Sequence, residues 1–268
     1  MAVIAHVSDL HFGREDPRLV EALVRDLTAA RPDLLAVSGD LTQRARRIEF
    51  AAARAFLDRI EVPRLVVPGN HDIPLVDLVR RFSRPLGRYR RYIAEETDPF
   101  LATAHFAALG VNTARSNVWK NGRLSVAQID SIRSRFCPLP PEVFKVLVAH
   151  HPFLPPPDDP APALVGRGPE ALVVAEECGV DLILSGHLHR GFTGDIRAHH
   201  VTIRRSILVA QASTATSHRT RNEANGYNLI RYVFPQLEFT QLAWDGQAFR
   251  PTRHVSYEKL GTDWRPVG

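Results

Sequence analysis

Short runs rich in Val, Ile and Leu recur along the chain, at Ala2 to Val7, Leu34 to Val37, Arg64 to Val67, Val143 to Ala149 and Asp181 to Leu184. Each is bounded by turn residues and has the length and composition of a strand covered on both faces. Between them, apolar positions recur at helical spacing. Leu19, Leu23 and Leu27, with Val20 and Val24, form one stripe; Ile48 to Ile60, Val126 to Phe136 and Pro169 to Cys178 follow the same period. An order of strand, helix, strand, helix predicts an α/β protein with a largely parallel core sheet.

The pattern then changes to strand-like runs at Ser206 to Ala210, Gly226 to Phe234 and Leu237 to Trp244, with tight breaks such as Phe234-Pro235-Gln236. These predict C-terminal antiparallel strands over 200–250, completing a second sheet or adding to an edge of the first. Two stretches fit neither period. Pro152 to Pro162 is so rich in proline that it predicts an irregular loop. Pro74 to His105 interleaves six arginines, among them Arg88, Arg90 and Arg91, with Phe82, Tyr89 and Tyr92. Leu75, Leu78, Val79 and Phe82 fall at helical spacing there, so the segment reads as an amphipathic surface helix with its aromatics packed down, or as a cap insertion over 73–105.

At 268 residues and 30.0 kDa, 44% apolar and 24% charged, the chain suits a single domain over 1–268 and excludes disordered, collagen-like and coiled-coil architectures. No apolar stretch approaches the roughly 18 residues of a membrane span, and the opening MAVIAHVSD lacks the basic start of an export signal. Cys137 and Cys178 are too few for a disulfide framework or a zinc-thiolate site. The expectation is a soluble protein of a reducing, cytoplasmic compartment. A net charge of +5, with 31 of 34 basic residues arginine, gives a mild positive field suited to anionic ligands.

The residues that carry chemistry stand at the C-terminal ends of the expected strands: Ser8-Asp9-Leu10-His11, Ser38-Gly39-Asp40, Gly69-Asn70-His71-Asp72, His150-His151-Pro152 and Gly186-His187-Leu188-His189. In an open α/β sheet the loops at that edge converge on one crevice, where ligands bind. Taken singly, each motif has an ordinary explanation: a chance Asp-x-His, a Gly-Asp turn, a helix cap at Asn-His-Asp. Five such motifs in succession, each after a strand, are not explained that way. Their oxygen and imidazole donors, without thiolate, suit Mn²⁺, Fe or Zn²⁺. Asp9 with His11, and His187 with His189, are two residues apart and on extended backbone would point to one side. Seven ligands exceed what one such ion takes, whereas two ions roughly 3.5–4 Å apart, bridged by a carboxylate and water, would use them all.

This succession resembles the calcineurin-like metallophosphoesterase superfamily over residues 3 to about 190, and Gly226-Tyr227-Asn228-Leu229 resembles the bacterial branch that includes class III cyclic-nucleotide phosphodiesterases. The resemblance implies an αββα sandwich of two mixed sheets flanked by helices. It implies Asp9, His11 and His189 on one metal, Asn70, His150 and His187 on the other, and Asp40 between them. His150 is preferred to His151 as the first histidine of a His-x-Pro turn, with the choice left open. His71 matches the non-ligand histidine that faces the phosphate, with Asn70, and protonates the leaving oxygen; Asp72 shapes the loop. Phosphoprotein phosphatases of the superfamily carry an acid and then an arginine after the bridging aspartate. This chain has Gln43 and Arg44, so the acid is missing while Arg44 remains a candidate phosphate ligand.

The expected function is a binuclear phosphodiesterase for small diesters, 3′,5′- or 2′,3′-cyclic nucleotides foremost, in which a metal-bridging hydroxide attacks phosphorus. The cofactors are two divalent ions, Mn or Fe before Zn. Rival enzymes are a glycerophosphodiesterase, a lipid-precursor pyrophosphohydrolase and a DNA nuclease; 268 residues leave little room for a nuclease's basic groove, so no stable nucleic-acid complex is expected. A non-enzymatic nucleotide-binding module would have lost ligands, and none is lost here. The partner is therefore a small phosphodiester or nucleotide, with an oligomer left open.

Overall fold

In the computed structural model, which describes residues 1–157, 164–200, 202–221 and 223–267, two sheets pack face to face with helices outside each. The first sheet has β1 (Ala2–Val7), β2 (Leu34–Val37) and β3 (Arg64–Val66) in parallel. Beside β1, β10 (Gly226–Val233), β11 (Gln236–Trp244), β12 (Phe249–Leu260) and β13 (Asp263–Val267) follow as an antiparallel meander. The second sheet runs β4 (Phe100–Ala102), β5 (Phe106–Val111), β6 (Phe144–Ala149), β7 (Leu182–Ser185), β9 (Leu208–Gln211), β8 (Phe192–Asp195), with β5, β6, β7 and β9 parallel.

This is the αββα sandwich of two mixed sheets that the family resemblance implies; of the C-terminal strands, expected to complete a second sheet or to add to an edge of the first, β9 joins the second sheet and the last four extend the first beyond β1. The packing accounts for this arrangement. Ile4, Leu34, Ala36 and Leu65 face Ala108, Phe144, Val146 and Leu184 across the inter-sheet core. Their neighbours Ala5, Val7, Leu35 and Val37 point the other way, onto α1 (Pro17–Ala30) and α2 (Arg47–Asp58). Likewise Leu109, Leu147 and Ile183 meet α5 (Val126–Phe136) and α6 (Gly168–Glu177). Strands covered by a helix on one side and a sheet on the other have the same doubly apolar composition as strands between two helix layers.

Side-chain chemistry fixes where α1 begins. Asp16 accepts from the Arg18 N–H at 2.9 Å to cap α1, with Pro17 at its first position. Leu19, Leu23 and Leu27 are buried from that helix, each contributing about 2 kcal/mol of apolar burial. The 74–105 segment departs most from expectation. It forms two short helices, α3 (Leu78–Ser83) and α4 (Gly87–Tyr92), and on α3 the packing is inverted: Arg81 is 1% exposed while Phe82 is 60% exposed. Arg81 is accommodated because its guanidinium donates to the carbonyls of Pro74, Ser116 and Val118 at 2.8–3.1 Å. The expected loop from Pro152 to Pro162 falls partly outside the described residues.

Cys137 and Cys178, which follow the ends of α5 and α6, are joined as a disulfide 41 residues apart in sequence. The bond removes the support that scarce cysteine lent to a reducing compartment. Closing a loop of this length restricts the unfolded chain, so reduction should cost about 2–4 kcal/mol of stability. Melting the protein with and without reductant should show a lower Tm in the reduced sample; equal Tm values would refute the contribution.

Candidate active site

The five loops expected to carry chemistry meet at the C-terminal ends of β1, β2, β3, β6 and β7. The Asp-x-His and His-x-His pairs are not on extended backbone. Asp9, His11, Asp40, His187 and His189 all lie in the left-handed region, with φ of 54°, 47°, 52°, 73° and 58°. Each costs about 1–2 kcal/mol for an L-residue, a strain that concentrates at functional sites. It is held by neighbouring loops: the Asp9 N–H donates to Gly39 O at 3.1 Å and the His11 N–H to Asp40 O at 2.9 Å. Gly39, at φ +97°, lets His150 approach, since a Cβ there would stand 2.7 Å from His150 Nδ1.

The side chains form two connected clusters. In one, His11 Nε2 and His189 Nε2 stand 3.5 and 3.6 Å from Asp9 Oδ1. In the other, His150 Nε2 is 3.2 Å from Asn70 Oδ1, with the His187 ring beside the His150 ring at 5.1 Å between centroids. Asp40 joins them, with Oδ2 3.7 Å from His11 Nε2 and Oδ1 3.4 Å from His150 Nε2. Asp9, His11, Asp40, His150, His187 and His189 are all buried. Asp9 Oδ2 accepts from Ser8 Oγ at 2.7 Å and the His187 N–H at 3.0 Å, yet its Oδ1 and both ring nitrogens of His11 have no hydrogen-bond partner. Buried polar atoms left this way are costly unless something else engages them. Imidazole and carboxylate donors facing one another fit divalent cations, and the two buried clusters fit a two-metal centre.

His151 lies against the same cluster, but both its nitrogens are engaged. Nδ1 pairs with Thr113 Oγ1 at 2.7 Å and Nε2 with Lys120 O at 3.0 Å. His150 Nδ1 donates to Ser38 O at 2.8 Å, which aims its Nε2 at Asp40 and Asn70. His189 is oriented in the same way by Thr214 Oγ1. Asp72 ties loops together, accepting from the backbone N–H groups of Gly69, Leu41 and Thr42.

Burial works against charge on His150, but Asp40 and Asp9 outweigh it and raise its pKa to about 9. His187 is lowered to about 3, first by burial and then by His150. Burial and the neighbouring Asp40 lift Asp72 to about 6. Burial opposes the charge of Asp40 itself, and His150, His71 and His11 overcome it, holding the carboxyl well below the usual range.

His71 stands beside both clusters, its ring edge-on to His11 with centroids 4.9 Å apart. Its backbone N–H donates to Asp40 Oδ1 at 2.8 Å, and its Nδ1 lies 2.9 Å from the Gln43 carbonyl oxygen. A backbone acceptor thus stands where an acidic side chain was missing from the sequence. Arg219 Nη1 lies 2.9 Å from His71 Nε2. Arginine only donates, so Nε2 accepts, and the Nδ1 proton points at Gln43. Arg44 is exposed and only its backbone N–H is tied down, by Glu49. Nothing in the sequence singles out Arg219, one arginine among 31 in a loop between strands.

A probable cyclic nucleotide phosphodiesterase of Rhodococcus erythropolis is 29% identical over 247 residues, covering 85% of this chain and 78% of its own. One of Synechococcus sp. is 27% identical over 214 residues, covering 70% and 74% respectively. The purple acid phosphatase PPD1 of yellow lupin (Lupinus luteus) superposes with a TM-score of 0.71 at 12% identity over 95% of this chain, which spans about half of it, 53%. The sequence profile described as calcineurin-like phosphoesterase matches residues 2–191. With that match over most of the chain, and with its buried His and Asp clusters, the protein belongs to the calcineurin-like phosphoesterases.

Proposed function

We propose that the protein hydrolyses small phosphodiesters, cyclic nucleotides foremost, at a two-metal centre. The observation that carries this reading is the pair of buried clusters joined through Asp40, with Asp9 Oδ1 and both His11 nitrogens unpartnered beside His71. In this reading Asp9, His11 and His189 hold one ion, Asn70, His150 and His187 the other, and Asp40 serves both. His150 is favoured over its neighbour His151 as the ligand because its Nε2 faces Asp40 and Asn70, whereas the nitrogens of His151 are taken up by Thr113 Oγ1 and Lys120 O. Two bound cations supply Lewis acidity and a nucleophile at neutral pH. The names of the Rhodococcus and Synechococcus relatives support the cyclic-nucleotide substrate.

The remaining work falls to this chain's own side chains. Asn70 and Arg219 bind the phosphoryl oxygens. His71, fixed by Gln43 O through its Nδ1 proton and lying beside the clusters, passes a proton to the leaving oxygen from Nε2, which must first take that proton from solvent once Arg219 has moved off it. Arg219 now blocks that nitrogen, so a substrate anion that draws the guanidinium onto itself also frees His71. Arg219→Gln should therefore raise KM for diesters about tenfold, equivalent to ~1.4 kcal/mol, with metal content unchanged and Arg219→Lys recovering part of the loss. An unchanged KM would remove Arg219 from substrate binding.

The manganese-loaded protein should be assayed against 3′,5′- and 2′,3′-cyclic nucleotides, a glycerophosphodiester, an aryl diester and an aryl monoester. Diester turnover that chelation abolishes, with the highest kcat/KM on a cyclic nucleotide, is the expected result. A preference for the monoester would overturn the diesterase reading. Full activity with fewer than about one metal per chain would overturn the two-metal one.

A further inference from the structure

The inverted packing of α3 leaves an apolar surface that no other element covers among the described residues. Val76, Val79, Leu78 and Phe82 are 86%, 82%, 52% and 60% exposed, and Leu75 is exposed beside them. Trp119, 51% exposed on another segment, belongs to the same surface, because the Arg81 guanidinium lies 4.0 Å from its ring centroid. Isolated exposed apolar residues are ordinary, but a cluster of this size on two adjoining segments marks an interaction surface. Those segments carry a positive excess: Arg80 is paired with Asp77 at 3.1 Å and Arg81 is buried, which leaves Arg84 beside α3 and Lys120 after Trp119 as the surface cations of the patch.

We propose that this surface docks on an anionic phospholipid bilayer. Aliphatic side chains with Phe and Trp, flanked by Arg84 and Lys120, whose long side chains can reach a phosphate layer, match an interfacial membrane contact. Charge decides against a second copy of the chain. A two-fold contact would bring like basic segments face to face, whereas an anionic surface attracts each cation near it by about 1 kcal/mol. The two segments also border the active site: Asn70, His71 and Asp72 directly precede this surface, and the Lys120 carbonyl oxygen meets His151. Docking would bring these loops to the headgroup layer.

The test is co-sedimentation of the full chain with vesicles of phosphatidylcholine alone and of phosphatidylcholine with phosphatidylglycerol, at low and high salt. Binding to the anionic vesicles that weakens with salt is expected. It should fall at least tenfold in the Val79→Glu, Phe82→Glu double variant and in the Arg84→Glu, Lys120→Glu double variant. Hydrolysis of a soluble aryl diester by the Val79, Phe82 variant should stay unchanged, which separates lost docking from lost folding. As an independent reading, anionic vesicles should shift wild-type tryptophan fluorescence to the blue, and Trp119→Phe should remove that shift. Failure of the wild type to bind anionic vesicles, or equal binding by the variants, overturns the proposal. A wild-type dimer in sedimentation velocity that the Val79, Phe82 variant converts to monomer assigns the surface to a second copy instead.

Discussion

Asp40→Ala should be the most damaging single substitution in the protein, lowering kcat/KM by at least about 10³-fold, or roughly 4 kcal/mol of transition-state stabilisation. Asp40 turns one oxygen toward His11 and the other toward His150, so its loss disconnects both clusters at once. It also holds the His71 backbone N–H at 2.8 Å, which fixes the loop after β3. Gly69 fits only because it has no side chain, since a Cβ there would collide with Asp40. Folding and metal binding can be told apart by thermal shift. A ligand that binds only the folded state raises Tm in proportion to its affinity, so added Mn²⁺ should stabilise the wild type and not the variant. A variant that kept the full metal-dependent rise in Tm would show that Asp40 is not a shared ligand.

The strand ends were legible because the demands of sheet and site coincide there. A buried apolar run must stop where polar ligands begin, and the expected bounds of β1, β2 and α5 match the structure residue for residue. What was illegible has physical causes of its own. β12 reads FRPTRHVSYEKL and is largely exposed, so it lacks the apolar run that marked the inner strands. The strand pattern alone left open whether the C-terminal strands make a second sheet or extend the first, because burial on both faces does not say whether a helix or a sheet does the covering. Arg81 inverted α3 by finding three backbone carbonyls, an arrangement that periodicity does not encode.

The same limit applied inside the site. The sequence shows that the acid after Asp40 is missing but not what stands in its place, because motif reading compares side chains and cannot register a main-chain carbonyl. The Gln43 oxygen supplies that acceptor. Left-handed backbone at Asp9, His11, His187 and His189 was equally hidden. Regular extended geometry sufficed to predict that each pair converges. The observed geometry brings Asp9 and His11 together from strained loops, tied by hydrogen bonds between the loops after β1 and β2, but divides the other pair, His189 joining Asp9 and His11 while His187 joins His150.

His71→Ala should separate binding from turnover. None of the ring contacts of His71 places it inside either cluster: its Nδ1 meets Gln43 O, its Nε2 meets Arg219, and it touches His11 edge-on. Metal content and the metal-dependent rise in Tm should therefore be retained, while kcat falls by about 10²–10⁴-fold on diesters whose leaving alkoxide needs a proton. Burial, chiefly, keeps the His71 pKa below its ordinary value, with Asp40 pulling the other way and His11 and Arg219 adding to the lowering. An aryl diester with an acidic leaving group needs little protonation and should lose much less. Because Arg219 and His71 touch, the Arg219→Gln, His71→Ala double variant should lose less than the two single losses combined. Equal slowing of alkyl and aryl diesters would strip His71 of the proton-donor role, and loss of metal from the single variant would move it into the ligand set.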